Sequence, residues 1–297
     1  MKAGGVKAGG VKARGVKRTA LGLSGFVAMA ATWELYKAID GKLGPWHFPA
    51  HADDASMPHL LTIGRRFLQP EVRDRPGTVL QAVISGSWYT FRVAVVGLAL
   101  GAMIGLLLAV VMERFRLLER AWLPYIVLSQ TVPLIALAPL ISGWGGGLSI
   151  GSLHWRPWMS VAAMAAYLSF FPVAVGALRG LQSPQAHHED LMRSYAASWG
   201  QTLWKLRLPA AVPYLIPALQ LAAASSIVGA IVSEISIGAK GGVGRLILDY
   251  FQRASGDPAQ VYTAFIGAAL LGLVTVGLIK ALEKLLMRNR AAPGLHP

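Results

Sequence analysis

The chain has 297 residues, of which 54% are hydrophobic and only 14% are charged. Because soluble domains carry about 25% charged residues, this composition excludes an ordinary soluble enzyme or binding module and indicates a polytopic membrane protein. The net charge of +14 is large, but its meaning depends on where the basic residues lie. The chain contains no cysteine, which excludes disulfides and thiol chemistry.

The N-terminal part is predicted to form two units. Residues 1–20 are a Gly-Lys-Val-Ala repeat, a composition typical of a disordered tail. The apolar residues 21–39 exceed the ~7–15-residue core of a signal peptide, so they predict an uncleaved first span. With the proline-rich polar segment that follows, this span makes a second unit, residues 21–78. The histidines and aspartates of that segment have no metal-ligand spacing, so we predict no metal and no cofactor.

Five further apolar stretches complete a predicted all-α membrane protein with six transmembrane helices. Each is about long enough to cross the ~30 Å hydrocarbon core as a helix. They cover residues 88–112, 122–141, 158–178, 209–235 and 259–279.

Glycine and proline distinguish two of these spans. Gly97, Gly101 and Gly105 are four residues apart in the second span, so they share one helix face and permit close approach of another backbone. The third span contains three prolines, which predict a kinked helix that packs against protein or a cavity. These prolines are Pro124, Pro133 and Pro139.

A polar segment, residues 179–208, separates the fourth and fifth spans. Acids near its start and bases near its end suit the dipole of a helix. We predict two short amphipathic helices with a break near residues 198–200. Leu191, Met192 and Tyr195 form one apolar stripe on the first of them, and this stripe is either packed on the chain or buried in a partner.

The distribution of basic residues predicts the orientation. With six spans and a cytoplasmic N-terminus, the inner segments hold 17 Lys and Arg and the outer loops hold nine. This imbalance obeys the positive-inside rule, and it places both termini and the segment 179–208 in the cytoplasm. The net charge is therefore explained by orientation and predicts no nucleic-acid partner.

Three sequence runs in residues 191–234 carry a family resemblance: LMRSYAAS, LRLPAAVPYLIPAL and GAIVSE. They resemble the permease subunits of bacterial binding-protein-dependent ABC importers. The resemblance is to the sulfonate, taurine and nitrate group, in the branch associated with riboflavin and thiamine-precursor pyrimidines. It covers about residues 79–290 and implies the type I importer permease fold, a coupling loop at residues 179–208 and a C-terminal tail at residues 291–297.

The family's coupling loop contains Glu-Ala-Ala, a glycine and Leu-Pro. Aligned on Leu208 and Pro209, the Glu-Ala-Ala positions fall on Asp190, Leu191 and Met192, and the glycine position falls on Ala196. The resemblance implies that an ATPase contacts this loop, through Glu189, Asp190, Leu191, Met192, Tyr195, Ala196, Leu208 and Pro209.

The resemblance also implies the partners and the location. It implies a multi-pass protein of the bacterial inner membrane that pairs with a second copy of itself, a cytoplasmic ATP-binding subunit and an extracytoplasmic solute-binding protein. The implied cargo is riboflavin or a thiamine-precursor pyrimidine, with sulfonate, taurine or nitrate as the alternative.

The residues themselves offer no catalytic machinery and few groups for a substrate. No carboxylate pair lies within a span, and no Ser-His-Asp set or nucleotide motif is legible, so we predict a transport subunit and not an enzyme. Ser233, Glu234 and Arg92 are candidates for the substrate path. Alternatively, Glu234 pairs at the interface with Arg92 or Lys240, and Arg92 extends to the headgroups.

A different class, an ion-coupled secondary transporter, would require a mid-span acid or histidine and often inverted repeats. Neither feature is present in the sequence. A membrane scaffold would not explain the amphipathic pattern of residues 179–208.

Overall fold

The structure is a computed structural model that describes residues 22, 24, 25, 27–39, 53–72, 76–147, 149–150 and 153–287. The predicted tails at residues 1–20 and 291–297 lie outside these residues. Residues 27–39 form helix α1. The further elements are α2 (Leu60–Arg66), α3 (Val79–Arg114), α4 (Arg116–Ser129), α5 (Leu134–Gly146), β1 (Ser149–Ile150), β2 (Leu153–His154), α6 (Pro157–Leu181), α7 (Ala186–Ser194), α8 (Trp199–Thr202), α9 (Leu208–Ile237), α10 (Val243–Phe251) and α11 (Pro258–Met287).

The described residues contain four helices that are long and apolar enough to cross a membrane: α3, α6, the continuous helix Trp199–Ile237 and α11. The pair α4 and α5 counts as a fifth span if its two bent halves are taken together. The all-α membrane fold is therefore confirmed, with one two-residue hairpin, β1 and β2, outside the helices. The predicted first span lies partly outside the described residues.

The predicted third span is not one kinked helix but two helices, α4 and α5, bent by 100°. The helix ends at Ser129 and resumes after Pro133, which has extended backbone angles and precedes α5. Proline lacks an N–H group and disfavours helical angles in the residue before it, so the break falls here. Pro124 and Pro139 lie inside α4 and α5 without ending them.

Helix α6 lies at the centre of the fold, between α3 and α9. A Cβ atom at Gly97 or Gly101 would lie 2.6 Å from a carbonyl oxygen of α6, and one at Gly105 would lie 2.5 Å from another. The predicted close approach along this glycine face is thus confirmed, and α6 is the neighbour. On the other side of α6, a Cβ at Gly229 of α9 would lie 2.9 Å from the Met164 carbonyl oxygen. Small residues thus set both helix contacts.

Helix α1 is joined to the remaining described chain by polar contacts. Oε1 of Glu34 accepts a hydrogen bond from the Leu60 N–H at 2.9 Å, and its other oxygen lies 2.8 Å from Nδ1 of His59. A carboxylate at the start of α2 satisfies a free N–H group there. Trp33 donates to the Pro58 carbonyl at 3.2 Å. These contacts lie within the predicted unit 21–78, where they join α1 to the start of α2.

Candidate functional site

Helix α7 carries the predicted apolar stripe, and none of its residues is buried. Leu191 is 51% exposed and Tyr195 is 76% exposed. Met192 is partly buried, but packing against the described part of this chain is excluded for Leu191 and Tyr195. Asp190 is also exposed, and its carboxylate lies 3.7 Å from the Arg193 guanidinium.

Helix α7 ends in a left-handed turn. The Ala197 N–H donates to the Met192 carbonyl at 3.0 Å, and the Ala196 N–H donates to the Arg193 carbonyl at 2.9 Å. Ala196 has a φ angle of 50°, and it is the one described non-glycine residue with positive φ. Helices commonly end with glycine in this conformation, because other residues pay a steric penalty for it. Ala196 therefore occupies the position to which the resemblance assigns glycine, in a conformation that favours glycine.

The second predicted helix is not a separate element. It begins after Ser198, whose hydroxyl accepts a hydrogen bond from the Gln201 N–H at 3.3 Å. It then continues through a π-helical turn, Leu203–Arg207, directly into α9. The π turn inserts an extra residue just before Pro209, which itself has no N–H to donate, so the helix passes the proline without a break. Leu208 and Pro209 thus lie inside a membrane-entering helix.

Arg207 joins α7 to the ends of two spans, α3 and α9. Its guanidinium forms ion pairs with Glu113, at the end of α3, and with Glu189 of α7, the latter at 3.0 Å. Trp199 donates from its indole nitrogen to the other Glu113 oxygen at 3.2 Å. The Glu113 side chain is only 5% exposed. Since a buried carboxylate is costly without a partner, this cluster should fix α7 against α3 and the start of α9.

The sequence reasoning missed Glu113, Trp199 and the role of Arg207. One signal was available, because Glu113 is the acidic residue that directly follows a long apolar stretch. A cleft of about 770 Å³ surrounds the cluster. Its lining includes three acids, Glu113, Glu119 and Glu189, and four arginines, Arg114, Arg116, Arg120 and Arg207.

The structure places Glu234 in the interior near the C-terminal end of α9, with no exposed surface. Thr90 of α3 donates its hydroxyl to Glu234 Oε1 at 2.8 Å, and the Gly244 N–H donates to Oε2 at 2.9 Å. The Val243 N–H donates to the Thr90 hydroxyl at 2.9 Å. The carboxylate therefore satisfies one free N–H group at the start of α10, the Thr90 hydroxyl satisfies another, and the two side chains join α3, α9 and α10.

The predicted alternative in which Glu234 pairs with Arg92 or Lys240 is wrong, because Thr90 and Gly244 are its hydrogen-bond partners. Arg92 is exposed, and its guanidinium lies 5.9 Å from the centre of the Trp88 ring. Ser233 is buried, and its hydroxyl has no hydrogen-bond partner among the described residues. The structure thus brings Ser233 and Glu234 into the interior and leaves Arg92 on the outside of α3.

The comparisons with known proteins agree on one class of transport protein. Residues 101–288 match the family described as the binding-protein-dependent transport system inner membrane component. The formylaminopyrimidine transport permease protein ThiX of Halalkalibacterium halodurans is 33% identical over 201 residues, which are 67% of this chain and 74% of that protein. The riboflavin transport system permease protein RibX of Chloroflexus aurantiacus is 32% identical over 179 residues, 60% of this chain and 62% of that protein.

Two further similarities extend the comparison. The putative aliphatic sulfonates transport permease protein SsuC of Bacillus subtilis is 27% identical over 197 residues, 66% of this chain and 67% of that protein. A crystal structure of an amino acid ABC transporter with histidines has a TM-score of 0.51 and 21% sequence identity. It covers 70% of this chain and 93% of that chain, and the likeness concerns the fold alone.

Proposed function

This chain belongs to the family of binding-protein-dependent transport system inner membrane components, and on that premise we propose how it couples to ATP and what it carries. It is a multi-pass permease subunit of an ABC importer in the inner membrane, with the type I permease fold. It is not itself an enzyme, and its class works with ATP-binding and substrate-binding partners. This membership excludes the ion-coupled secondary transporter and the scaffold.

The coupling surface is the exposed face of α7 and the turn that follows it. The single observation that carries this proposal is the 76% exposure of Tyr195 next to the exposed Leu191. An apolar pair on a segment that charged residues hold in water favours a partner that covers it. In the proposed arrangement, the ATP-binding subunit buries this pair and meets Met192, while Glu189 and Asp190 lie at the start of the same helix.

The cluster around Arg207 would transmit a movement of the ATP-binding subunit from α7 to the membrane spans. Arg207 is held by Glu113 of α3 and by Glu189 of α7, and it lies one residue before the start of α9. A displacement of α7 would therefore move the cytoplasmic ends of two spans together. Leu208 and Pro209 would carry it into α9. Such rigid-body movements of packed helices are a common way to switch access from one side to the other.

The proposed cargo is a neutral heteroaromatic solute, riboflavin or a thiamine-precursor pyrimidine. Support comes from the identities of 33% and 32% with the formylaminopyrimidine and riboflavin permeases, against 27% with the sulfonate permease. Sulfonate, taurine or nitrate is the second candidate, and an anion favours a basic path. Arg92 is the basic residue that was predicted to line the substrate path, but its side chain lies exposed on α3 against Trp88.

The remaining proposals concern assembly and orientation. Two copies of the chain would surround the path, with both termini and the coupling loop 179–208 in the cytoplasm. The unit 21–78 would add a first span and an extracytoplasmic segment to a permease core at residues 79–290. Tails at residues 1–20 and 291–297 would complete the cytoplasmic side. Ser233 and Glu234 are buried, so they would not contact the cargo. They would instead affect the substrate path indirectly, by holding α10 in position.

Substitution of Tyr195 tests the coupling surface and the orientation together. The substitution Tyr195→Ala should weaken binding of the ATP-binding subunit by about 30-fold, the effect of losing a hot spot of about 2 kcal/mol. Binding is measured by co-purification from detergent with the partner at graded concentrations, and uptake is measured in vesicles.

The control is Leu61→Ala, because Leu61 of α2 is also 76% exposed and lies in the extracytoplasmic segment. It should leave both co-purification and uptake unchanged. If Tyr195→Ala retains the partner as well as Leu61→Ala does, then α7 is not the coupling surface.

A further inference from the structure

The break between α4 and α5 places polar groups at mid-depth in the membrane. Gln130 lies ten positions after Arg120, the last basic residue of α4, whose basic N-terminal part marks the proposed cytoplasmic side. At 1.5 Å per residue this is about 15 Å, half of the ~30 Å hydrocarbon core. The chain then runs without helix to Pro133 and turns by 100° into α5.

The hydrogen bonds of the break are unequally satisfied. The N–H groups of Gln130, Thr131 and Val132 donate to the carbonyls three residues earlier, at 3.1, 3.0 and 3.4 Å. The carbonyl oxygens of the same three residues accept no hydrogen bond from the described part of the chain. The break therefore presents three free backbone acceptors in a row.

The side chains of the break add further acceptors. The Thr131 hydroxyl donates its proton to the Leu128 carbonyl at 2.8 Å, so its lone pairs remain available. Gln130 donates from its amide nitrogen to the Ser129 hydroxyl at 3.2 Å, which leaves its amide oxygen available. Thr131 to Pro133 are exposed on the surface of this chain.

Free carbonyls at this depth cannot face lipid. An unsatisfied backbone group in hydrocarbon costs several kcal/mol, so irregular backbone in a membrane occurs where it is buried in protein or lines a water-filled cavity. Since Thr131 and its neighbours are exposed on this chain, the break must face an aqueous path or another chain.

The chemistry of the break selects the kind of ligand. It offers oxygen acceptors, and α4 beyond Arg120 and α5 contain no Lys or Arg. Acceptors without positive charge suit a neutral molecule with N–H donors, whereas a sulfonate or nitrate would meet mainly repulsive oxygen lone pairs and a single uncharged donor, the second N–H of the Gln130 amide. Interrupted apolar segments also mark substrate sites in other transporters.

We propose that residues 130–132 form a cargo-binding site in the translocation path, and that this site accepts N–H and NH₂ groups of a neutral heteroaromatic such as an aminopyrimidine. The inference rests on the proposed function, because it names residues that recognise the proposed class of cargo. It also gives a physical reason for preferring a neutral ring over an anion.

Cysteine labelling tests where the break faces. The chain has no cysteine, so Thr131→Cys introduces a single thiol into an otherwise unreactive subunit. In the purified complex with its partners, a water-soluble thiol reagent should label this cysteine. Formylaminopyrimidine at about ten times its Kd should slow the labelling by about tenfold, and taurine should not.

The control is Leu273→Cys on the exposed, apolar face of α11, which should react slowly with or without cargo. Three results would overturn the proposal. Thr131→Cys could be as unreactive as this control, or it could form a disulfide between two copies that cargo does not prevent. The third result is labelling at a rate that cargo does not slow. Failure of the proposed function is a different result, namely no binding-protein-dependent pyrimidine uptake by the wild type.

Uptake by two variants of the same residue provides the second measurement. Thr131→Val removes the hydroxyl but keeps the shape, and it should lower pyrimidine uptake by about fivefold, the effect of one lost hydrogen bond. Thr131→Ser keeps the hydroxyl and should recover most of the uptake that Thr131→Val loses. Equal uptake by Thr131→Val, Thr131→Ser and the wild type, at equal membrane levels, would also overturn the proposal.

Discussion

The interface between α3 and α6 and the coupling segment at residues 186–198 are packed in opposite ways. At the interface there is no room for a single Cβ atom at Gly97, Gly101 or Gly105. In the coupling segment, by contrast, no residue of α7 is buried, and the apolar Leu191 and Tyr195 are exposed. The packing of the first region is formed entirely within the chain, whereas the second region has an apolar face that the described chain does not cover.

The two solvents explain this difference. Lipid is as apolar as the helices, so spans associate through close van der Waals packing of small residues. Water instead drives apolar side chains together, so the exposed stripe on α7 gains from burial in a partner. Substitutions in the spans should therefore affect folding, and substitutions in the coupling segment should affect assembly and local order.

The largest expected effect tests the packed region. Gly101→Leu would place a side chain against the Ala166 carbonyl, which a Cβ alone would already approach to 2.6 Å. Overpacking of this kind costs about 3 kcal/mol or more, so the variant should lose its folded fraction when heated in detergent well before the wild type. The measurement is the amount of monodisperse protein after heating.

Gly272→Leu on α11 is the matched control, because a Cβ at Gly272 meets nothing within 4 Å. It should retain the stability of the wild type. Equal stability of the two leucine variants would show that close packing of α3 on α6 does not hold the spans together.

The second prediction concerns the polar contact inside the packed region. In Glu234→Gln, one carboxylate oxygen becomes an NH₂ donor that faces the Gly244 N–H or the Thr90 hydroxyl, both of which need an acceptor. An unsatisfied buried group costs about 2 kcal/mol, so thermal stability should fall, though less than in Gly101→Leu. Thr90→Val should give a similar loss.

Glu283→Gln provides a control in a less buried setting, since Glu283 accepts from the Gln220 amide at 2.7 Å and is partly exposed. It should change stability little. If Glu234→Gln keeps wild-type stability but loses uptake, then the carboxylate acts on the cargo path directly and not through the position of α10.

Much of the membrane fold was predictable, because hydropathy and helix periodicity depend on local sequence. The glycine face of α3 was found from spacing alone, and the structure adds only that α6 is its neighbour. The three prolines predicted a distortion in the third span, but the sequence alone does not show which of them interrupts the helix. Pro133 does so, whereas Pro124 and Pro139 are accommodated.

The candidate sites were less predictable because their contacts join residues far apart in sequence. Glu234 is paired with Thr90, 144 residues earlier, and Glu113 accepts from Trp199, 86 residues later. Nothing in the local sequence indicates these partners. The position of Ala196 was predicted from the family's glycine, but its left-handed conformation required the structure.

The smallest expected effect tests the coupling segment. Ala196→Gly should stabilise the end of α7 by about 1 kcal/mol, because glycine adopts the left-handed conformation without the steric penalty that alanine pays. The gain is local, since α7 has no buried residue to link it to global unfolding. Hydrogen exchange of the Ala197 amide, which donates to the Met192 carbonyl, should slow by about fivefold.

The adjacent variant Ala197→Gly separates backbone strain from a general effect of glycine. Ala197 does not have positive φ, so glycine there only adds freedom to the unfolded turn, and exchange at the end of α7 should become faster. Faster exchange in Ala196→Gly as well would contradict a strained turn.

The two regions predict one further difference in the assembled transporter. Once the ATP-binding subunit covers α7, the partner supplies the order that the turn lacks. The advantage of Ala196→Gly should then shrink, whereas the loss in Gly101→Leu should persist in the assembled transporter.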